Sequence, residues 1–177
     1  GGDFTILPYS ALPQGKNPIN DFIPVARITD LLTRPGETVE FDGQTLTYPE
    51  IKMMYWAGGN PFHHHQDLGR LMDAWQKPDT VIVNEWCWNS LAKRGDIVLP
   101  CTTPLERQDI AMTPRDPYIV SMSQLTEPYA QSRNDYDIFA GIAGELGILD
   151  AFTGGRSAAE WQRRIYEETR QTVADLG

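Results

Sequence analysis

The residues best suited to chemistry crowd into one short stretch, YWAGGNPFHHHQDLGRL at positions 55–71, which holds all three histidines of the chain. Gly58 and Gly59 can take backbone angles closed to other residues and let a ligand approach the main chain closely. Asn60 is a good helix N-cap, and Pro61 a good first helical residue, because the donor it lacks is one a helix would leave unused. The N–H groups of the next turn then face outward as an anion site suited to a pyrophosphate. His64 and Gln66, in that first turn, offer side-chain donors to phosphates or to a polar ring held over the glycine loop. Two plainer readings stand beside this one: a tight turn with no ligand, and surface polar residues at a helix start. A metal site is disfavoured. Adjacent histidines project in different directions, and no cysteine or carboxylate sits at a completing spacing.

A second candidate lies downstream, where TVIVNEW ends in Asn84 and Glu85. An acidic residue at such a strand end reads ribose hydroxyls in dinucleotide folds, and could equally accept two N–H bonds from guanine. Together the two stretches suggest a bound nucleotide. GGNP is not GxGxxG, so a nicotinamide or flavin cofactor would rest on topology alone. Cys87 and Cys101 form no CxxC and no Cys/His grid, which points to buried, reduced thiols rather than to an iron-sulfur cluster or structural zinc. A net charge of −9 argues against a nucleic-acid binder. No apolar stretch approaches the roughly 20 residues of a membrane span and no signal-like segment opens the chain, so a soluble protein is expected.

The elements that must position these residues can be read from the pattern around them. The 177 residues, 41% hydrophobic, fit one domain with a sizeable core. Gly1-Gly2-Asp3 is not a natural initiation sequence, so the chain reads as a piece of something larger. Residues 1–50 read as an irregular arm broken by Pro8, Pro13, Gly15 and Pro18, then a short helix, then a hairpin. The helix would be capped by Asn20 or Asp21, carry Ile23, Ala26, Ile28, Leu31 and Leu32, and stop at Pro35-Gly36. The hairpin would turn at Asp42-Gly43. Residues 51–177 read as the α/β core. IKMMYWA is a run of strand length, apolar enough to be covered on both faces, and Leu68, Leu71, Met72 and Trp75 recur at helical spacing up to Pro78. TVIVNEW and DIVLP supply further buried strands, with a short helix from Ser90 to Lys93 closed by Gly95 between them. PYIVSMS reads as another strand. Next comes a helix with Ile138, Phe139, Ile142 and Leu146 on one face, then a last helix opened by a Ser157/Glu160 capping box. The alternation predicts an α/β fold: three-layer, Rossmann-like and doubly wound, its sheet mostly parallel with helices on both faces. Ligands of such sheets lodge beyond the carboxyl ends of the strands, where the quoted stretch falls.

The strings NDFIPVARITD, YWAGGNPFHHHQDLGRL, AWQKPDTVIVNE and GDIVLPCTTPLERQDIAM, in this order, resemble a segment of the bacterial molybdenum oxotransferases of the dimethyl sulfoxide reductase family, on the branch of the biotin sulfoxide and trimethylamine N-oxide reductases. The resemblance runs from about Pro13 to the last helix. It implies the third domain of a multidomain enzyme, an α/β layer holding one of two molybdopterin guanine dinucleotides that carry the molybdenum. By the same resemblance Gly58, Gly59 and Asn60 match the loop beside the pterin dinucleotide, His64 and Gln66 match polar positions contacting it, and Asn84 with Glu85 match the nucleotide-reading strand end. Glu106, in TTPLERQD, matches an acidic position near the guanine end. Trp86 and Asp96 are weaker matches, and Asp96 reads equally as a cap on the turn before its strand. Gly69 departs from the family's usual asparagine in QDLNR, and costs a helix roughly 1 kcal/mol relative to alanine. The molybdenum ligand and the substrate-facing residues match nothing here, so this stretch would position the cofactor and do no chemistry itself. Its partners would be the parent's other domains and, in the parent, a small S-oxide or N-oxide. The isolated stretch would bind the dinucleotide weakly or not at all, half its contacts lying elsewhere. Bacterial cytoplasm and periplasm both suit the resemblance. The alternative from another class is a stand-alone nucleotide- or partner-binding α/β module without catalysis.

Overall fold

The computed structural model describes residues 12–16, 18, 19, 22–112 and 118–176. They fall into two compact units, one of Asn17–Pro100 and one of Gly1–Lys16 with Cys101–Gly177. The fold is mixed α/β, with a parallel sheet in the first unit.

In the first unit a 3₁₀ turn, Val25–Arg27, runs into α1, Ile28–Thr33, which places Ile28 and Leu32 on the buried side. The expected caps Asn20 and Asp21 lie outside the described residues, and Pro24 stands at the boundary without a side-chain cap. The chain then turns at Pro35-Gly36 as predicted. Strands β1, Thr38–Phe41, and β2, Gln44–Thr47, form the expected antiparallel hairpin. Asp42 and Gly43 have φ of 50° and 73°, the mirror-image turn whose twist matches that of the strands.

Strands β3, Met53–Ala57, β4, Thr80–Glu85, and β5, Ile97–Pro100, pair in parallel in the order β3-β4-β5. The central strand is the buried one, with Val81 and Val83 inside. The apolar run of β3 is not covered on both faces, and Met53 is 61% exposed. Its place at the end of the strand order explains this, because an apolar run marks strand propensity while burial is decided by neighbours. Between β3 and β4 lie two short helices, α2, Pro61–His64, and α3, Leu68–Ala74. Leu71, Ala74 and Trp75 join Ile28, Leu32, Phe62, Val81, Val83 and Leu91 in one core. Leu68 and Met72, expected on the same face, are 39% and 41% exposed. Asp96 accepts the Val81 N–H at 2.8 Å and donates its own N–H to Val81 O at 2.9 Å. That is the structural reading of Asp96: it ties the turn before β5 to β4. The short helix between them is a 3₁₀ turn, Ala92–Arg94, closed at Gly95.

In the second unit PYIVSMS does form a strand, β7, Ile119–Met122, but it does not join the parallel sheet. It pairs antiparallel with β6, Asp109–Met112. Helices α4, Asp135–Glu145, α5, Leu149–Thr153, and α6, Ala158–Leu176, complete the unit. Ile138 is buried, whereas Leu146, expected on its face and standing as the C-cap of α4, is 68% exposed. The Ser157/Glu160 capping box is present: Glu160 Oε2 accepts from Ser157 N and Oγ, and Ser157 Oγ accepts from Glu160 N. A second box opens the 3₁₀ turn Pro104–Glu106. Glu106 Oε2 accepts from Thr103 N at 2.7 Å and Thr103 Oγ1 at 2.9 Å, while Oε1 accepts from Tyr129 N at 2.8 Å. These bonds, the Thr103 backbone donor first, hold its carboxyl below the usual range. Of the two thiols Cys101 is buried, but Cys87 is exposed, against expectation. Among the described residues no helix is long and apolar enough to cross a membrane.

Gly69 is exposed in the first turn of α3, and a Cβ added there would meet nothing closer than Asp67 Oδ1 at 3.9 Å. Gly69→Ala is therefore expected to raise stability by about 0.5–1 kcal/mol in chemical denaturation; an unchanged or lower midpoint would show that α3 does not limit stability. Glu106 has a folded-state pKa below its ordinary value, so its stabilisation is complete above about pH 4.5 and is lost as pH falls through the folded value. Acid unfolding of Glu106→Gln, monitored between about pH 5 and pH 3, is accordingly expected to depend less steeply on pH than that of the unaltered protein.

Candidate functional site

Parallel pairing in the register Ala57↔Asn84 brings the C-terminal ends of β3 and β4 to the same edge of the sheet. Across that pair Tyr55 OH donates to Asn84 Oδ1 at 2.8 Å. Beyond β3 the chain turns through Gly58 and Gly59, with φ of 81° and 70°, a region that favours glycine. A Cβ on either glycine would meet nothing within 4 Å, so their open faces look into free space. Trp56 Nε1 donates to Gly59 O at 3.2 Å and holds the turn from behind.

Asn60 is the N-cap expected of it: its Oδ1 accepts from Phe62 N at 3.0 Å, and Pro61 is the first helical residue. Beyond Pro61 the expected single helix is interrupted. The chain forms one turn, α2, then breaks at Asp67, whose φ of 52° and side-chain bond to Arg70 N start α3 afresh. His64 therefore closes α2, and Gln66 lies in the link. The backbone donors of α2 do not form the open anion site expected of them. Pro61 has no N–H, Phe62 N is taken by the Asn60 side chain, and His63 N by Asn60 O at 3.0 Å.

The donors that do remain open are side chains. Gly58, Gly59, Asn60, His64 and Gln66 line one cleft of about 440 Å³, together with Val25, Ala26, Trp56, Pro61 and His65. No carboxylate is among these residues. His64, His65 and Gln66 have no side-chain partner among the described residues. The cleft thus offers an aromatic wall, neutral donors and bare backbone, which suits a flat polar ring or a phosphate. Sequence reasoning missed His65 and Trp56. Trp56 was hidden in an apolar run that reads as strand core, and its alternation with Tyr55 along β3 was the available sign.

Asn84 is buried at the tip of β4, and Glu85 comes next, partly exposed. Neither lines the cleft. Glu85 Oε1 accepts from Trp86 N at 3.0 Å and Oε2 from Asn89 Nδ2 at 2.6 Å. Asn89 Oδ1 in turn accepts from Leu91 N and Ala92 N. The loop so formed reaches back to the first one, where Asn60 Nδ2 donates to Ser90 Oγ at 3.1 Å. Glu106 belongs to the other unit, in the wall of a cleft of about 460 Å³ that also includes Arg107, Arg133, Asn134 and Asp137. Among the described residues no cluster of three or more His, Cys, Asp or Glu could hold a metal ion.

Comparison with known proteins places the chain in a family. A family model described as "Molybdopterin oxidoreductase" matches residues 5–145. Biotin sulfoxide reductase of Cereibacter sphaeroides is 48% identical over 170 residues, 96% of this chain and 23% of that protein. Trimethylamine-N-oxide reductase of Haemophilus influenzae is 47% identical over 146 residues, 81% of this chain and 18% of that one. The dimethyl sulfoxide/trimethylamine N-oxide reductase of Cereibacter sphaeroides is 46% identical over 147 residues, with 82% and 18% covered. The chain thus spans about a fifth of the length of these curated relatives. Among solved structures, acetylene hydratase from Pelobacter acetylenicus has the same fold over 77% of this chain and 19% of its own, with a TM-score of 0.56 at 18% identity. With four-fifths of its length under one family model, this chain belongs to the molybdopterin oxidoreductase family.

Proposed function

We propose that this chain is the cofactor-cradling domain of a molybdenum enzyme that reduces S-oxides or N-oxides, and that it holds one of two molybdopterin guanine dinucleotides. The observation that carries this reading is the cleft beyond β3, where five residues singled out from sequence meet with open donors and without a carboxylate. When bound, the molybdenum-pterin group supplies two-electron oxygen-atom transfer, and the protein supplies binding and orientation.

In this reading Gly58 and Gly59 give the ligand access to the main chain, because no Cβ stands in the way. His64 and Gln66 donate hydrogen bonds to its polar edge or phosphates, and His65 adds a third donor. Asn60 holds the turn in shape. Asn84 and Glu85 form the neighbouring strand end, where their engaged side chains set the shape of the loop beside the cleft. Glu106 shapes the wall near the guanine end, since both its oxygens already accept bonds from the protein. The sequential parallel order β3-β4-β5 supports a Rossmann-like, doubly wound sheet with helices on both faces, of which these strands are one half. The remaining domains of the parent enzyme would complete the site and contain the substrate pocket.

The test uses the full-length enzyme. His64→Ala/Gln66→Ala removes open donors that hold nothing in the fold together, so its unfolding midpoint should match that of the unaltered protein. Its molybdenum and guanine nucleotide per polypeptide are expected to fall by about fivefold or more, the scale of one or two lost hydrogen bonds. Full molybdenum content in this variant would overturn the reading.

A further inference from the structure

The two loops beyond β3 and β4 are joined by a closed circuit of contacts that none of the cleft's open donors enters. Asn60 Oδ1 must face Phe62 N to cap α2, which aims its Nδ2 at Ser90 Oγ, 3.1 Å away. The Ser90 hydroxyl also lies 3.3 Å from Asn60 Oδ1, so one hydroxyl meets both ends of the amide. Ser90 is held in turn from its own side. Its carbonyl accepts from Arg94 Nη1 at 2.7 Å, and the Arg94 guanidinium lies 4.5 Å over the Phe62 ring, closing the circuit on α2. The turn that carries Ser90 is set by Asn89, which caps it and is itself held by Glu85.

Ser90 does not line the cleft, and nothing in the strand pattern singles it out. Resting on the function proposed above, we propose that Ser90 is a positioning residue of the cofactor site: it locks the Asn60 side chain, and through it the glycine turn, to the tip of β4. The site at the two strand ends then behaves as one preformed body, so a ligand that spans them loses less freedom in ordering it. Ser90 is half-buried, and water can replace its hydroxyl in a variant, so the fold survives its removal while the loops loosen.

The experiment compares Ser90→Ala, Ser90→Thr, Asn60→Ala and the double variant Asn60→Ala/Ser90→Ala in the full-length enzyme. The readouts are molybdenum and guanine nucleotide per polypeptide, the rate at which molybdenum is lost on dialysis, and the unfolding midpoint of the cofactor-free protein. Ser90→Ala is expected to lose molybdenum about fivefold faster, the scale of one weakened hydrogen bond. Its cofactor-free midpoint should stay close to that of the unaltered protein. Ser90→Thr, which keeps the hydroxyl, should restore retention, and the double variant should be no worse than Asn60→Ala because Ser90 acts through Asn60. Retention unchanged in Ser90→Ala, no rescue by threonine, or additive losses in the double variant would each overturn the inference. If His64→Ala/Gln66→Ala loses molybdenum while Ser90→Ala does not, this inference alone fails; if neither loses it, the function proposed above fails with it.

Discussion

The register of β3 against β4 is the constraint on which the candidate site depends. Parallel strands deliver their C-terminal ends to one edge, and the pairing of Ala57 with Asn84 sets the glycine turn beside the acid-bearing loop. A slip of one residue would send Trp56 to the face of Tyr55 and break the Tyr55–Asn84 bond. What holds the register is the core beneath it. Leu71, Val83 and Leu91 are wholly buried, and Trp75 packs between Trp56 and Phe62 at centroid distances of 5.6 and 5.1 Å. Each such side chain contributes about 1.5–3 kcal/mol of burial, set against the entropy of ordering it. The cleft is therefore a surface feature of a well-packed layer, and its shape is inherited from that packing.

The polar residues around the two strand ends divide by what their hydrogen-bonding groups already do. Asn60, Asn84, Glu85 and Glu106 are engaged within the protein, and their loss would move backbone. His64, His65 and Gln66 are open, and their loss would remove only a donor. The same division resolves an electrostatic question. A chain of net charge −9 is an unpromising host for an anionic nucleotide. The cleft beyond β3 has no carboxylate in its lining, and Asp67, the acid next to it in sequence, is paired with Arg70. The second unit has polar ties of its own. Arg107 ties Thr102 and Asp109, and Thr102 bonds Asn134. Trp161 donates to Thr153 O, and Arg156 and Arg164 lie about 5 Å from its ring.

Much was legible in the chain by itself, and always where the governing interaction is local. The Asp42-Gly43 turn, the Asn60-Pro61 helix start, the Ser157/Glu160 box and the three parallel strands all rest on contacts within a few residues, or on a pattern within one element. So does the clustering of Gly58, Gly59, Asn60, His64 and Gln66, which one short loop compels. Tertiary structure decided what depends on distant neighbours. It broke the helix at Asp67, turned β7 away from the parallel sheet to β6, left Leu146 and Cys87 in solvent, and consumed the first N–H groups of α2. It also recruited Ser90 to Asn60 across thirty positions of sequence. Propensity and periodicity act over one or two turns of chain, whereas burial and hydrogen-bond partners are chosen by whatever the folded chain brings alongside.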